Sequence, residues 1–422
     1  MALFFDFPAS GSKSCVPTFL TDDEILGNVY LIPQVCLETL FEAVVEIRLT
    51  GHVETSLLWL DNAAPNTDTR SLAYRQTILD VAQRYPVQGR FCAASPGSID
   101  LCHFNIRLAA AAVPGNNNAD RCINFDQLPS SLDEKSSAAF DFKSSAPRTV
   151  ASVSYLLHAK LWRDDVLLVS HSQNIYILNC SDAAPPLCLG DFGQEYNNRH
   201  EIVLRKNPLQ KIGKISIQAN QPDALVFTGY NTSAITKVLL HVKLQTTHGP
   251  REGPQSNDFE ATVKWRLQSS TFVCMHMQDA VPTTRQLVLS PSMGCITKTI
   301  SSHDLKMKWS DWTRTEADDP DSTEWTATYP VWLSIKSSPG LPPTFLLPYL
   351  SRRYSIAMIV SVPGRWHSKA TIKLPVQVAY RSKVRPPQCI LESSHLCAIE
   401  DHTGREPVSS NTDDHVLPPY FA

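Results

Sequence analysis

A chain of 422 residues with 43% hydrophobic and 19% charged side chains has the makeup of a globular protein, and its length suits two domains plus a tail. The formal net charge of -3 excludes a global attraction to nucleic acid or to an acidic membrane surface, so any basic surface must be local. With 16 glycines against 30 prolines, the composition favours many strand-bounding turns over Gly-rich phosphate loops.

The first strand expected along the chain is residues 3–7, closed by Pro8. Gly27-Asn-Val-Tyr-Leu-Ile32 and residues 44–49 follow, the latter placing Val45, Ile47 and Leu49 opposite Val44, Glu46 and Arg48. Residues 60–72 are turn-like. In 71–85 the apolar Ile78, Val81, Ala82 and Tyr85 fall at helical spacing and predict one short helix, although 74–79 also reads as a strand. Residues 114–150 form a polar, Ser-rich loop that is long for a simple connection. It leads into residues 153–161, with Val153, Tyr155, Leu157, Ala159 and Leu161 directed inward.

After Ile175-Tyr-Ile177 the chain turns through Gly- and Asn-containing residues up to Asn198, where the domain boundary is expected. The second half repeats the alternation at 214–219, 225–227 and 237–244. It is strongest in Phe259-Glu-Ala-Thr-Val-Lys-Trp-Arg-Leu267, where Phe259, Ala261, Val263, Trp265 and Leu267 share one face. Residues 354–362 and 370–378 are two further strands around the Pro363-Gly364 turn. Beyond about Lys383 the alternation stops, and Pro, Ser, Asp and Glu dominate a segment expected to be disordered. Two all-β units with regularly spaced strands predict tandem β-sandwiches.

No Gly-x-Ser-x-Gly elbow, His-Glu-x-x-His or Walker loop occurs, so no catalytic residue is assigned. His158 and His241 fall on outward strand positions. Cys274-Met-His276-Met has no second cluster at ligand spacing, and Asp318-Asp319-Pro-Asp321 lacks the ligand alternation of a calcium loop; no metal or cofactor is predicted. Trp309-Ser-Asp-Trp312 reads as aromatic packing around a loop. The 11 cysteines are scattered without a Cys-x-x-Cys pair. Asp6 interrupts what would be the apolar part of a signal peptide, and no apolar run reaches the ~20 residues that span a bilayer. A soluble cytosolic protein with free thiols is expected. Asn179-Cys-Ser181 and Asn231-Thr-Ser233 are then chance matches to the glycosylation pattern.

Two features point to binding. Arg205, Lys206, Lys211, Lys214, Arg352 and Arg353 are candidate contacts for phosphate or lipid headgroups, through charge-assisted hydrogen bonds if they converge. In the tail, Leu417, Pro418, Pro419 and Tyr420 form a Leu-Pro-x-Tyr ligand for a WW domain. The prolines pre-set a polyproline II conformation, so little chain entropy is lost on docking in an aromatic groove.

Several segments together resemble the fungal arrestin-like proteins, the α-arrestins or arrestin-related trafficking adaptors. Gly27-Asn-Val-Tyr-Leu31 resembles the family's Gly-x-Val-x-Leu strand, and Val45-Glu-Ile-Arg-Leu-Thr-Gly51 its next strand. His103-Phe-Asn-Ile-Arg-Leu108 stands where the family has a Phe-Pro-Phe type strand. Leu128-Pro-Ser-Ser-Leu132 is similar to its Leu-Pro-x-Ser-Phe turn, and Val153-Ser-Tyr-Leu-Leu-His-Ala159 to the closing strand of the N-domain. Leu289-Ser-Pro-Ser-Met-Gly-Cys295, Leu341-Pro-Pro-Thr-Phe345, Ser351-Arg-Arg-Tyr354 and Leu374-Pro-Val-Gln-Val378 resemble a fungal arrestin C-domain in order and spacing.

The resemblance implies two tandem immunoglobulin-like, arrestin-type β-sandwiches at 1–180 and 201–382, a linker at 181–200 and a disordered tail at 383–422. It implies a non-enzymatic adaptor that links cytosolic segments of membrane transporters or receptors to a WW-domain HECT-type ubiquitin ligase, for ubiquitination and endocytosis. Such an adaptor is cytoplasmic and recruited peripherally to the plasma membrane or endosomes, with no nucleic-acid partner. Two alternatives stay open: an arrestin-fold trafficking or signalling scaffold without ligase recruitment, and a β-rich enzyme, which needs a pocket of convergent titratable groups.

Overall fold

Strand follows strand through this protein, because period-two alternation gives each segment one apolar face that only a second layer can cover. The computed structural model describes residues 1–8, 16–32, 42–60, 69–87, 90–91, 97–108, 128–135, 147–180, 189–205, 211–229, 232–246, 260–315, 323–336, 341–362 and 368–381. The polar segment from 383, Phe259, Lys206, the acidic run at 318–321 and the Leu417, Pro418, Pro419, Tyr420 motif lie outside those residues.

The first half contributes β1 (Ala2–Asp6), β2 (Thr18–Leu20), β3 (Glu24–Ile32), β4 (Val44–Leu60), β5 (Thr69–Pro86), β6 (Arg90–Phe91), β7 (Ile99–Arg107), β8 (Leu132–Lys135), β9 (Arg148–Arg163) and β10 (Val166–Leu178). A 3-10 segment (Leu189–Glu195) follows. The second half contributes β11 (Arg199–Arg205), β12 (Lys211–Ala219), β13 (Leu225–Phe227), β14 (Ser233–Thr246), β15 (Glu260–Cys274), the short helix α1 (Thr284–Leu289) and β16 (Met293–Lys308). Then come β17 (Thr313–Thr315), β18 (Thr323–Lys336), β19 (Phe345–Leu346), β20 (Leu350–Val362), β21 (Ser368–Val376) and β22 (Val378–Tyr380). The fold is all-β and of sandwich type. No helix among the described residues is long and apolar enough to cross a membrane.

In the first half, a sheet ordered β1-β3-β7-β6 faces a sheet ordered β2-β10-β9-β4-β5, with β8 also paired to β9. Their inner faces share one core that includes Ile25, Val29, Val45, Ile47, Leu49, Leu101, Leu157 and Leu161. Burying side chains of this kind is worth ~1.5–3 kcal/mol each. Gly27 lies beneath the Phe104 ring, where a Cβ would approach the ring carbons to 2.6 Å, so only glycine lets the two strands pack at that point.

The second half repeats the plan with β11-β12-β14-β18-β17 facing β16-β15-β20-β19, β21 on β20, and a parallel pair of β13 with β22. Ala261, Val263, Trp265 and Leu267 all turn into its core, as their alternation requires, alongside Val238, Leu240, Val242 and Leu244. Trp309 is fully buried there and stacks on Tyr329 at 5.8 Å, so the Trp309–Trp312 motif packs as aromatic core.

The short helix predicted over 71–85 is not formed; these residues belong to β5, paired with β4 along its length. The reason is a β-bulge. Gly51 opposes Leu79 and His52 opposes Thr77, which leaves Ile78 as the extra residue. Ile78 and Leu79 are therefore both buried, and inward parity shifts by one beyond them. That shift spaces Ile78, Val81 and Tyr85 in a way that imitates a helix face.

Residues Met1–Lys383 form one compact unit, and the two cores meet within it. Val273, Ile296 and Leu350 come from the second half yet bury in the first core. Gly294 sits so close to Leu57 and Thr149 that a Cβ would lie 2.5 Å from Leu57 Cδ2 and 2.2 Å from Thr149 Oγ1. Tyr74 and Tyr349 place their rings 4.4 Å apart.

Candidate functional site

Of the six basic residues singled out as phosphate or headgroup contacts, Arg352 and Arg353 are at the surface in expectation only. Both are buried, at 0% and 2% exposure. Arg352 shares inward parity with Tyr354, Ile356, Met358 and Val360 on β20, so the sheet carries it inside along with its apolar neighbours. Lys214 is half-buried and paired with Glu201 at 2.7 Å. Arg205 and Lys211 oppose each other on the β11–β12 ladder, with side chains outside the described residues, as is all of Lys206. Burial takes Arg352 and Arg353 out of any such surface cluster.

Instead, the buried arginines organise a polar junction between the halves. Arg352 Nη1 lies 2.7 Å from Glu134 Oε1, the carboxylate of β8, which is itself only 4% exposed. Thr271 of β15 donates its hydroxyl to Glu134 Oε2 at 2.7 Å and accepts from Arg352 Nη1 at the same distance. Arg352 Nε donates to the Tyr354 hydroxyl at 2.8 Å, and that hydroxyl donates to the Pro342 carbonyl. Burial raises the Tyr354 pKa above its usual range, so the phenol stays neutral and keeps a proton to donate. Lys298 approaches the same carboxylate at 3.6 Å from the solvent side.

Arg353, one residue on, faces the other way. It pairs with Glu195 at the end of the 3-10 segment, and its guanidinium lies 4.4 Å from the Phe192 ring, 4.8 Å from Phe272 and 5.6 Å from Tyr196. A planar cation with aromatic neighbours and a carboxylate tolerates burial that a lysine would not. Glu195 also accepts the Thr284 amide at 2.9 Å and its hydroxyl, which ties α1 to the same cluster. Thr283 caps α1 reciprocally with Gln286. Burial pushes the Glu195 carboxyl up, but the Thr284 donors and the Arg353 charge outweigh it and hold it below its ordinary value.

This junction holds charge without activating it. Burial pushes the Cys274 thiol up to about 12 and raises Cys295 as well, so neither is a thiolate. Among the described residues no three His, Cys, Asp or Glu side chains converge as a metal site. Cys102, Cys274 and Cys295 are free thiols. The cluster is a cross-link: Glu134 from the first half, Arg352 and Thr271 from the second.

Sequence reasoning missed Glu134 and Glu195. Glu134 sits in the polar stretch read as a loop, yet the parity of Leu132 and Glu134, both buried between exposed Asp133 and Lys135, was a usable signal. Glu195 carried no such signal, since only the fold sets it against β20. Comparison of the chain with protein-family models finds no match, and comparison with curated proteins finds none.

Proposed function

We propose that this chain is a non-enzymatic adaptor that joins cytosolic segments of membrane transporters or receptors to a WW-domain HECT-type ubiquitin ligase, promoting ubiquitination and endocytosis of the cargo. The observation that carries the reading is a double β-sandwich frame on the same chain as a Leu-Pro-Pro-Tyr segment. The Glu134–Arg352 junction cross-links the two cores, which supports a platform that presents sheet faces and edges in fixed relation. Free thiols fit a reducing compartment, so the reading places the protein in the cytoplasm, recruited peripherally to the plasma membrane or endosomes. The resemblance of Gly27-Asn-Val-Tyr-Leu31 and Ser351-Arg-Arg-Tyr354 to arrestin-like segments supports membership of that family.

The ligase arm rests on Tyr420, a large rigid side chain of the kind that anchors small interfaces, and on Pro418. Titration of a 412–422 peptide against ligase WW domains tests it. The expected result is saturable binding that is lost in Tyr420→Ala and in Pro418→Ala peptides. Equal binding by wild-type and Tyr420→Ala peptides would remove the recruiting arm and favour a trafficking scaffold of the same fold.

A further inference from the structure

Among the described residues, the outer edge of β18 is unpaired over its second half. β17 covers only Glu324–Thr326, and among the described residues no strand pairs with the outer edge from Ala327 to Lys336. The direction of the backbone groups there follows from hydrogen bonds on the far side of β14. Leu239 donates its amide to Asn220 Oδ1 at 2.5 Å and accepts the Asn220 amide at its carbonyl, so its peptide groups point away from β18. Leu239 opposes Pro330, which makes that a non-hydrogen-bonded pair; Pro330 therefore also points its nitrogen away, toward the open edge. This is where a strand tolerates proline. Two-residue parity then directs the N–H and C=O of Trp332, Ser334 and Lys336 outward as well.

The side chains beside that edge are unusual for a solvent face. Trp332 is 61% exposed and Ile235, on the neighbouring strand, 63%. Lys237 opposes Trp332 and holds its Nζ 5.7 Å from the indole centroid. No outward position of these strands between Ser233 and His241 or between Thr328 and Lys336 carries a carboxylate, whereas Lys237 and Lys336 are both exposed cations. Lys336 and Pro330 are of the kind that guards an open edge against self-pairing, but the large exposed indole beside them is not, and the unbalanced positive charge complements an anionic partner.

We propose that β18 is a docking edge for an extended acidic peptide, which adds as a further strand along Trp332–Ser334–Lys336. Backbone pairing supplies the affinity, and alternate side chains supply the selectivity. An apolar residue of the peptide lies beside Trp332, and a carboxylate four residues away along the same face meets Lys336. The proposal is independent of ligase recruitment, since it uses no residue of the Leu417-Pro-Pro-Tyr420 segment.

The test uses the full chain and a fluorescein-labelled Thr-Phe-Thr-Val-Thr-Glu-Thr peptide, together with its reversed sequence to allow either strand direction. Fluorescence anisotropy is expected to show saturable binding by one of the two. Trp332→Ala should weaken it at least tenfold, as loss of an interface aromatic does. Ser334→Pro should abolish it while keeping the melting temperature, because it deletes an outward N–H and no bond to β14. Lys336→Glu should reverse the preference between this peptide and its Glu→Lys counterpart. N-methylation at the peptide amides that face β18, those of Phe and Val in an antiparallel peptide or of the two Thr residues flanking Val in a parallel one, should eliminate binding even if a protein variant fails to fold. Retained binding after N-methylation, or after Trp332→Ala, overturns the proposal. Capture of the chain by phosphatidylserine–phosphatidylcholine vesicles, lost in Trp332→Ala and without peptide binding, overturns it in favour of a bilayer-facing patch. A dimer that Ser334→Pro converts to monomer, without peptide binding, overturns it in favour of self-pairing.

Discussion

Replacing Glu134 by Gln removes one charge from the junction and little else. Thr271 still finds an amide oxygen to donate to, and the side-chain volume is nearly conserved. Arg352, at 0% exposure, loses the only carboxylate within 4 Å of it among the described residues. Breaking a buried pair from one side costs ~3–5 kcal/mol, because the remaining charge stays desolvated and unpaired. The preserved Thr271 contact places Glu134→Gln at the lower end, about 3 kcal/mol. Lys298, partly exposed and 3.6 Å from the same carboxylate, cannot substitute, since it carries the same sign as Arg352. The assay is urea unfolding of the full chain, in which the midpoint should fall with little change of slope. The double variant Glu134→Leu with Arg352→Met should recover wild-type stability or exceed it, because it removes both charges and fills the space with apolar groups. A single-variant loss below about 1 kcal/mol, the range of exposed pairs, would refute the reasoning.

Gly294→Val forces a branched side chain into space already held by Leu57 and Thr149, and overpacking of that kind costs ~1–3 kcal/mol. Adding Leu57→Ala should return part of the loss in the same melting assay; no recovery would mean that the contact is not the cause. Acid should destabilise the fold in two stages. Burial, then Arg75 for His52 and Lys160 for His158, depress these two imidazoles, so their contribution is complete above about pH 6.5 and is lost as pH falls through their lower folded values. Glu195 is likewise held low, so its contribution is complete above about pH 4.3 and is lost below that. Urea midpoints measured from pH 7 to 3 should fall throughout, with Glu195→Gln flattening the acidic stage; a midpoint that rises on acidification from 7 to 5 would contradict the sign.

The candidate basic cluster shows where parity was legible and where it was misread. Arg352 alternates with Tyr354, Ile356, Met358 and Val360, so its inward position was present in the sequence, and its charge argued against it. Charge prevails only when no partner exists, and the partner, Glu134, lies 218 positions away on another strand. Arg353 falls on the opposite parity and is buried only because the 3-10 segment with Phe192 and Tyr196 covers that face. No local pattern announces such a cover.

What the sequence by itself determined is the all-β sandwich character and the inward set of nearly every long strand, from Val45, Ile47 and Leu49 to Val263 and Trp265. Alternation is a local property, and a sheet enforces it residue by residue. Tertiary structure alone decided the bulge at Ile78, the Glu134–Arg352 cross-link, the close seat of Gly294 against Leu57, and the open edge beside Trp332. Each of these depends on which distant strands become neighbours and where one of them stops. Pairing between remote segments is selected by the whole packed arrangement, and a single strand's pattern is satisfied by many partners.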